Sequence, residues 1–210
     1  MTDERQVVVT RPGIAAFDFD GTLARRDTFM PFLGRACGWH RVALAGVSAL
    51  RHTRDRDELK VRMVGRLFRG WPAERLHRHG QDYATTLTDL LRPELVERIQ
   101  WHKSEGHAVV LVSAGLGVYL RPVAATLGLD DVLGVDLVSD DTGRLTGAVH
   151  GDINNRGPQK VARLRAWLHE RYGAHTPVEL WAYGDSAGDE ELLASADHPT
   201  WVGRRATPTP

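Results

Sequence analysis

Apolar positions along this chain follow two different rhythms, and the changes between them mark out its elements. A short continuous run, Ile14-Ala15-Ala16-Phe17, reads as a buried strand over 13–18, with Val7-Val8-Val9 starting or flanking it. From about 28 to 105 the period becomes helical. Val61, Val64, Leu67 and Phe68 form a stripe over 57–68, and Leu76, Tyr83, Leu87 and Leu90 form another after Pro72, which suits a first helical turn. Pro93 opens a further helix that stops at Gly106. Strand character then returns at 108–112, 132–138 and 178–183. Thr200-Trp201-Val202 is a short last strand, and 145–149 pairs back on the third strand as a hairpin across Asp140-Asp141-Thr142-Gly143. Helices over 119–127, 158–172 and 190–196 separate them. Strands alternating with helices predict an α/β fold: a doubly wound parallel sheet with right-handed crossovers, interrupted by a long α-helical insertion. The core is expected at 1–27 and 105–210, the insertion at 28–104.

Composition adds limits. The chain has 210 residues, 42% of them hydrophobic, enough for one large domain with a sizeable insertion. Lys and Arg (27) balance Asp and Glu (27), so no global field recruits nucleic acid. The single cysteine, Cys37, excludes an internal disulfide and a cysteine-rich zinc site; it reads as a small buried apolar residue. No basic segment followed by an apolar one marks a signal peptide, and no run reaches the ~18 apolar residues of a membrane span. The expectation is a cytoplasmic protein, a monomer or homodimer. The tail at 206–210 is expected to be disordered.

Candidate chemistry clusters where predicted strands end. Asp18-Phe19-Asp20-Gly21-Thr22-Leu23 follows the first strand, Ser113-Ala114-Gly115 the second, and Gly184-Asp185-Ser186-Ala187-Gly188-Asp189 the fourth. Lys160 lies in the first turn of the helix after Gly157-Pro158. Singly, each has a turn, cap or solvated-face reading. Together they sit at the C-terminal edge of one sheet, where open α/β folds bind ligands.

In order and spacing these motifs resemble the haloacid dehalogenase-like hydrolase superfamily over nearly the whole chain. The insertion after the first motif is similar to the cap of its phosphoserine phosphatase-like branch (subclass IB). Gly157-Pro158-Gln159-Lys160-Val161 and the His198-Pro-Thr-Trp201 ending resemble phosphatidylglycerophosphatase-type bacterial phosphatases. The resemblance implies a magnesium-dependent phosphomonoester phosphatase. In that scheme Asp18 is the nucleophile and Asp20 the general acid and base. Ser113 and Lys160 hold the phosphoryl group, with backbone N–H groups near Phe19, Gly21 and Ala114 completing the cradle. Asp18, the Asp20 carbonyl and Asp185 hold Mg²⁺, and Asp189 orients Lys160 or a magnesium-bound water. Asp20 argues against dehalogenases, which lack the second carboxylate. Gly188 stands where phosphoserine phosphatases carry a substrate-contacting Asn, which argues against phosphoserine itself.

The organic part of the substrate is left to the cap. Asp27 and Arg62 are the candidates there, Asp27 having an alternative as a helix cap. The substrate class is a small phosphorylated metabolite or a phospholipid headgroup. The apolar run Val42–Leu50, flanked by Arg41, Arg51, His52 and Arg54, reads either as cap packing or as a helix in peripheral contact with membrane. Rival readings are a receiver-like phospho-Asp signalling domain, a phosphotransferase of the same fold, and a dinucleotide site at Gly115-Leu116-Gly117 that lacks its third glycine. His77, His79, His102 and His107 are expected at the surface or the cap interface, and the six tryptophans in the core or cap.

Overall fold

A computed structural model describes residues 11–152 and 156–203; the apolar triplet 7–9 and the tail lie outside them. The central strand β1 (Gly13–Phe17) is covered on both faces, and Ile14 to Phe17 have no exposed surface. It pairs in parallel with β2 (Ala108–Leu116) on one side and β6 (Glu179–Gly184) on the other, so that Phe17 lies level with both Leu111 and Tyr183. Adding β3 (Asp131–Val135) and β7 (His198–Trp201) gives the order β3-β2-β1-β6-β7, every pairing parallel. Chain order reverses direction at β1, which puts the crevice at the C-terminal ends of β1, β2 and β6.

Three expected elements differ in extent. β2 does not stop at Val112 but continues through Ser113-Ala114-Gly115, with its register to β3 shifting between Val112 and Leu116. The expected third strand divides. β3 stays in the sheet, and β4 (Leu137–Ser139) leaves it to form the two-stranded ribbon with β5 (Leu145–Val149). The stripe running to Leu90 belongs to a helix that ends at Ala84, and Leu87 is buried from the turn beyond it; burial set that pattern, not helical period.

The insertion carries α1 (Phe29–Cys37), α2 (Trp39–Leu50), α3 (Arg56–Phe68) and α4 (Ala73–Ala84). The chain leaves the sheet and returns through adjacent segments: Ala24 bridges Leu91, and the Arg92 N–H donates to the Leu23 carbonyl at 2.9 Å. α5 (Pro93–Ser104) follows that crossing. It lies inside the expected range 28–104, yet it packs against β2, and its His102 reaches Tyr183 of β6. The remaining helices, α6 (Gly117–Leu127), α7 (Pro158–Tyr172) and α8 (Glu190–Ala194), flank the sheet. An aromatic cluster joins insertion to core. Phe32 of α1 lies 5.0 Å from Tyr119 of α6 and 5.3 Å from Tyr83 of α4, between ring centroids. Such pairs contribute about 0.5–1.5 kcal/mol each beyond their buried area.

His102 is fully buried, not at the surface. Its Nε2 is 2.8 Å from the Tyr183 hydroxyl and its Nδ1 is 2.9 Å from His107 Nδ1. Burial, then the nearby His107 and Arg98, push its pKa from 6.5 down to about 4. The unfolded chain therefore takes up a proton first. The stability from neutral His102 is present above pH 6.5 and is lost as pH falls toward about 4. Urea unfolding of the wild type should lose on the order of 2 kcal/mol more than His102→Gln over that span; equal losses would assign the titration to other groups.

Candidate active site

The loop after β1 begins with Asp18, whose N–H donates to the Tyr183 carbonyl of β6 at 2.9 Å. That bond keeps the chain in the sheet for one more residue and fixes the Asp18 carboxylate at the strand mouth. Gly21 follows with φ +86°, a left-handed conformation, and a Cβ built there would lie 2.2 Å from Asp185 Oδ2. The glycine thus permits both the turn and the approach of the Asp185 loop. Thr22 Oγ1 donates to Asp185 Oδ1 at 3.3 Å. Arg92, where the chain returns from the insertion, holds the same loop by donating to the Thr22 carbonyl at 3.0 Å and the Gly21 carbonyl at 3.4 Å.

Lys160 is 2% exposed, which an ammonium tolerates only with partners. It has two: Asp18 Oδ1, and Asp189 Oδ1 at 2.5 Å. Burial opposes its charge, but the two carboxylates outweigh that and raise its pKa. Asp189 is kept ionised against burial by Lys160 and by Ser186. Its other oxygen accepts from the Ser186 N–H at 3.1 Å and the Ser186 hydroxyl at 2.8 Å, closing a capping box. Burial raises the Asp18 carboxyl to about 7 despite the opposing charge of Lys160, and raises Asp185 as well. Oxygens of Asp18, Asp185 and Asp189 all lie within 4.8 Å of one another.

Asp20 turns toward the insertion. Its Oδ1 accepts from the Thr28 N–H at 2.8 Å and the Thr28 hydroxyl at 2.6 Å. The Tyr83 hydroxyl donates to the Thr28 carbonyl at 2.9 Å. Burial raises the Asp20 carboxyl to about 6, against the lowering effect of those hydrogen bonds. Ser113 is buried in β2, and its Oγ accepts from the Gly115 N–H at 3.0 Å; Ala114 between them is partly exposed.

Of the two residues expected to select the substrate, Asp27 acts on Asp20, whose pKa its charge raises. Asp27 is exposed and its Oδ2 accepts from the Met30 N–H at 3.1 Å, the capping alternative. Arg62 pairs with Glu58 one turn back at 2.6 Å and faces a surface cavity between α2, α3 and β5. A cation of the insertion that acts on Asp20 is Lys60, whose charge lowers the Asp20 pKa and whose Nζ lies 4.8 Å from the Phe29 ring centroid. A signal existed: Lys60 precedes the buried Met63, Val64 and Leu67 at the helical spacings i+3, i+4 and i+7, so it sits on the apolar stripe. For Thr28 and Arg92 the sequence carries no comparable signal. Gly188 leaves room that another residue uses, because a Cβ there would lie 2.7 Å from Arg156 Nε.

A parallel sheet with acidic groups and a buried lysine gathered at its switch point defines an open α/β protein with a ligand site at the C-terminal strand ends. A family model described as haloacid dehalogenase-like hydrolase matches residues 15–194, and the chain belongs to that family, in its phosphoserine phosphatase-like branch. Protein CicA of Caulobacter vibrioides is 34% identical over 192 residues, covering 89% of this chain and 84% of that protein. The phosphoserine phosphatase of Halobacterium salinarum is 31% identical over 191 residues, covering 87% and 82%. A solved structure of a protein with unknown function from Bordetella pertussis Tohama I shares the fold, with a TM-score of 0.70 at 23% identity over 88% of this chain and 87% of that one.

Proposed function

We propose that the protein hydrolyses phosphate monoesters with magnesium, through an aspartyl-phosphate formed on Asp18. The carrying observation is the buried Lys160 bridging Asp18 and Asp189, with the Asp185 carboxylate in the same cluster. One ammonium does not balance three carboxylates; burial, and after it the charge of Asp189, raise the pKa values of Asp18 and Asp185. A hard divalent cation fits an all-oxygen donor set of this kind. Asp18, the Asp20 carbonyl and Asp185 would hold it, with Asp189 on the lysine. Magnesium bound there would neutralise the phosphoryl oxygens and the attacking carboxylate.

The side chains then divide the work. An Asp18 oxygen attacks phosphorus, and the bond from phosphorus to the leaving alcohol breaks. Asp20, whose raised pKa lets it keep its proton to higher pH, protonates that alcohol. In the second half Asp20 takes a proton from the water that attacks phosphorus, releasing phosphate and restoring Asp18. Lys160 and Ser113 hold phosphoryl oxygens, and N–H groups near Phe19, Gly21 and Ala114 add donors. The helices between the two crossing segments act as the cap that reads the organic part, a small metabolite or a phospholipid headgroup. Lys60, close enough for its charge to act on Asp20, suits a substrate with a second anionic group.

A screen of sugar phosphates, phosphoamino acids, nucleotides and phospholipid monoesters tests this reading. Phosphate release should depend on added magnesium, stop with chelator and vanish in Asp185→Ala. Hydrolysis that survives chelation would remove the metal from the scheme.

A further inference from the structure

The apolar run at 42–50 divides its residues in a way that the catalytic reading does not use. Val42, Ala45 and Ala49 of α2 are buried against the neighbouring helices. Trp39, Leu44, Val47 and Leu50 are 61%, 66%, 54% and 58% exposed. With Ala43, also exposed, they fall within an arc of roughly 140° at 100° per residue. The only other large exposed hydrophobic among the described residues is Trp101, at 39%. One helix thus presents most of the strongly exposed apolar surface, which on a water-soluble protein marks a docking face.

Charge says what covers it. The whole chain is balanced, yet residues 28–54 hold Arg35, Arg41, Arg51 and Arg54 and no Asp or Glu. Arg41, Arg51 and Arg54 are exposed. Alongside α2, a cavity of about 550 Å³ between α2, α3 and β5 is lined by His52, Arg66 and Arg69, and by Arg62, whose charge Glu58 balances. Two copies of α2 placed face to face would bring these cations together, which disfavours a dimer through this face. An anionic bilayer meets both demands, accepting apolar side chains about 5–10 Å deep and attracting the basic rim. Among the described residues no helix is long and apolar enough to cross a membrane, so α2 would lie on the surface.

We propose that α2 docks the protein on an anionic lipid bilayer, with Trp39, Leu44, Val47 and Leu50 entering the interface and Arg41, Arg51 and Arg54 facing the headgroups. This names a partner for the protein and does not rest on the catalytic assignment. The full chain is sedimented with vesicles of phosphatidylcholine alone and of phosphatidylcholine mixed with phosphatidylglycerol. It should bind only the mixed vesicles, and less as salt rises. Leu44→Ser with Val47→Ser should weaken binding about tenfold. Arg51→Gln and Arg54→Gln should weaken it about fivefold each, equivalent to about 1 kcal/mol per surface cation. Circular dichroism and turnover of a soluble aryl phosphate should not change in these variants. Absence from the mixed-vesicle pellet overturns the proposal, as does equal binding to both vesicles. A concentration-dependent dimer that Leu44→Ser with Val47→Ser dissociates, without vesicle binding, assigns the face to a second copy and also overturns it. Vesicle binding by a chain that hydrolyses no phosphate monoester would refute the catalytic reading and leave this one standing.

Discussion

Asp18→Asn is expected to lower phosphate release from an aryl phosphate on the order of 10⁵-fold or more, the scale of losing the nucleophile in covalent catalysis. The substitution is nearly isosteric, and Lys160 keeps its second partner, Asp189, at 2.5 Å, so the loss should come with little change in fold. A second readout separates chemistry from collapse. Acid-quenched wild type incubated with labelled substrate should carry phosphate on the protein, and Asp18→Asn should carry none. A variant that turns over within tenfold of wild type, or still traps label, would end the nucleophile assignment.

Asp20→Asn should cost on the order of 10²–10⁴ in rate with a poor leaving group, the usual range of general acid–base catalysis. An Asn oxygen can still accept from the Thr28 N–H and hydroxyl that now hold Asp20 Oδ1 at 2.8 and 2.6 Å, so the loop should keep its shape. The first half-reaction should recover with acidic leaving groups, which depart without a proton. Label should then accumulate on Asp18, because the second half still needs a base. Equal losses across leaving groups, with no accumulation, would make Asp20 a structural residue.

Much of this site was legible because its parts are local. Asp18-x-Asp20-Gly21 is contiguous, and strand ends announce the loops that hold Asp185 and Asp189. Once these lie on one parallel sheet, their meeting at the C-terminal edge follows from strand direction. Lys160 was legible by motif, but its burial and its two carboxylate partners were not. Arg62 lies on the polar side of its helix, and its pairing with Glu58 there was not legible from charge alone. Lys60, two residues earlier, lies on the face that turns inward.

By itself, the sequence determined the alternation of strand and helix, the helical insertion after the first strand, and the identity of the acidic and basic groups at the strand ends. Those features depend on period and on short motifs, which act over a few residues. Tertiary structure alone decided that β1 is central, that α5 joins the sheet and that β4 leaves it. It also decided that Thr28 holds Asp20, that Arg92 secures the Gly21 loop, and that half of α2 faces outward. Each of these depends on which distant surfaces meet. A helix face of Leu, Val and Trp is the same string whether a neighbour covers it or not, and only packing shows which positions found a partner.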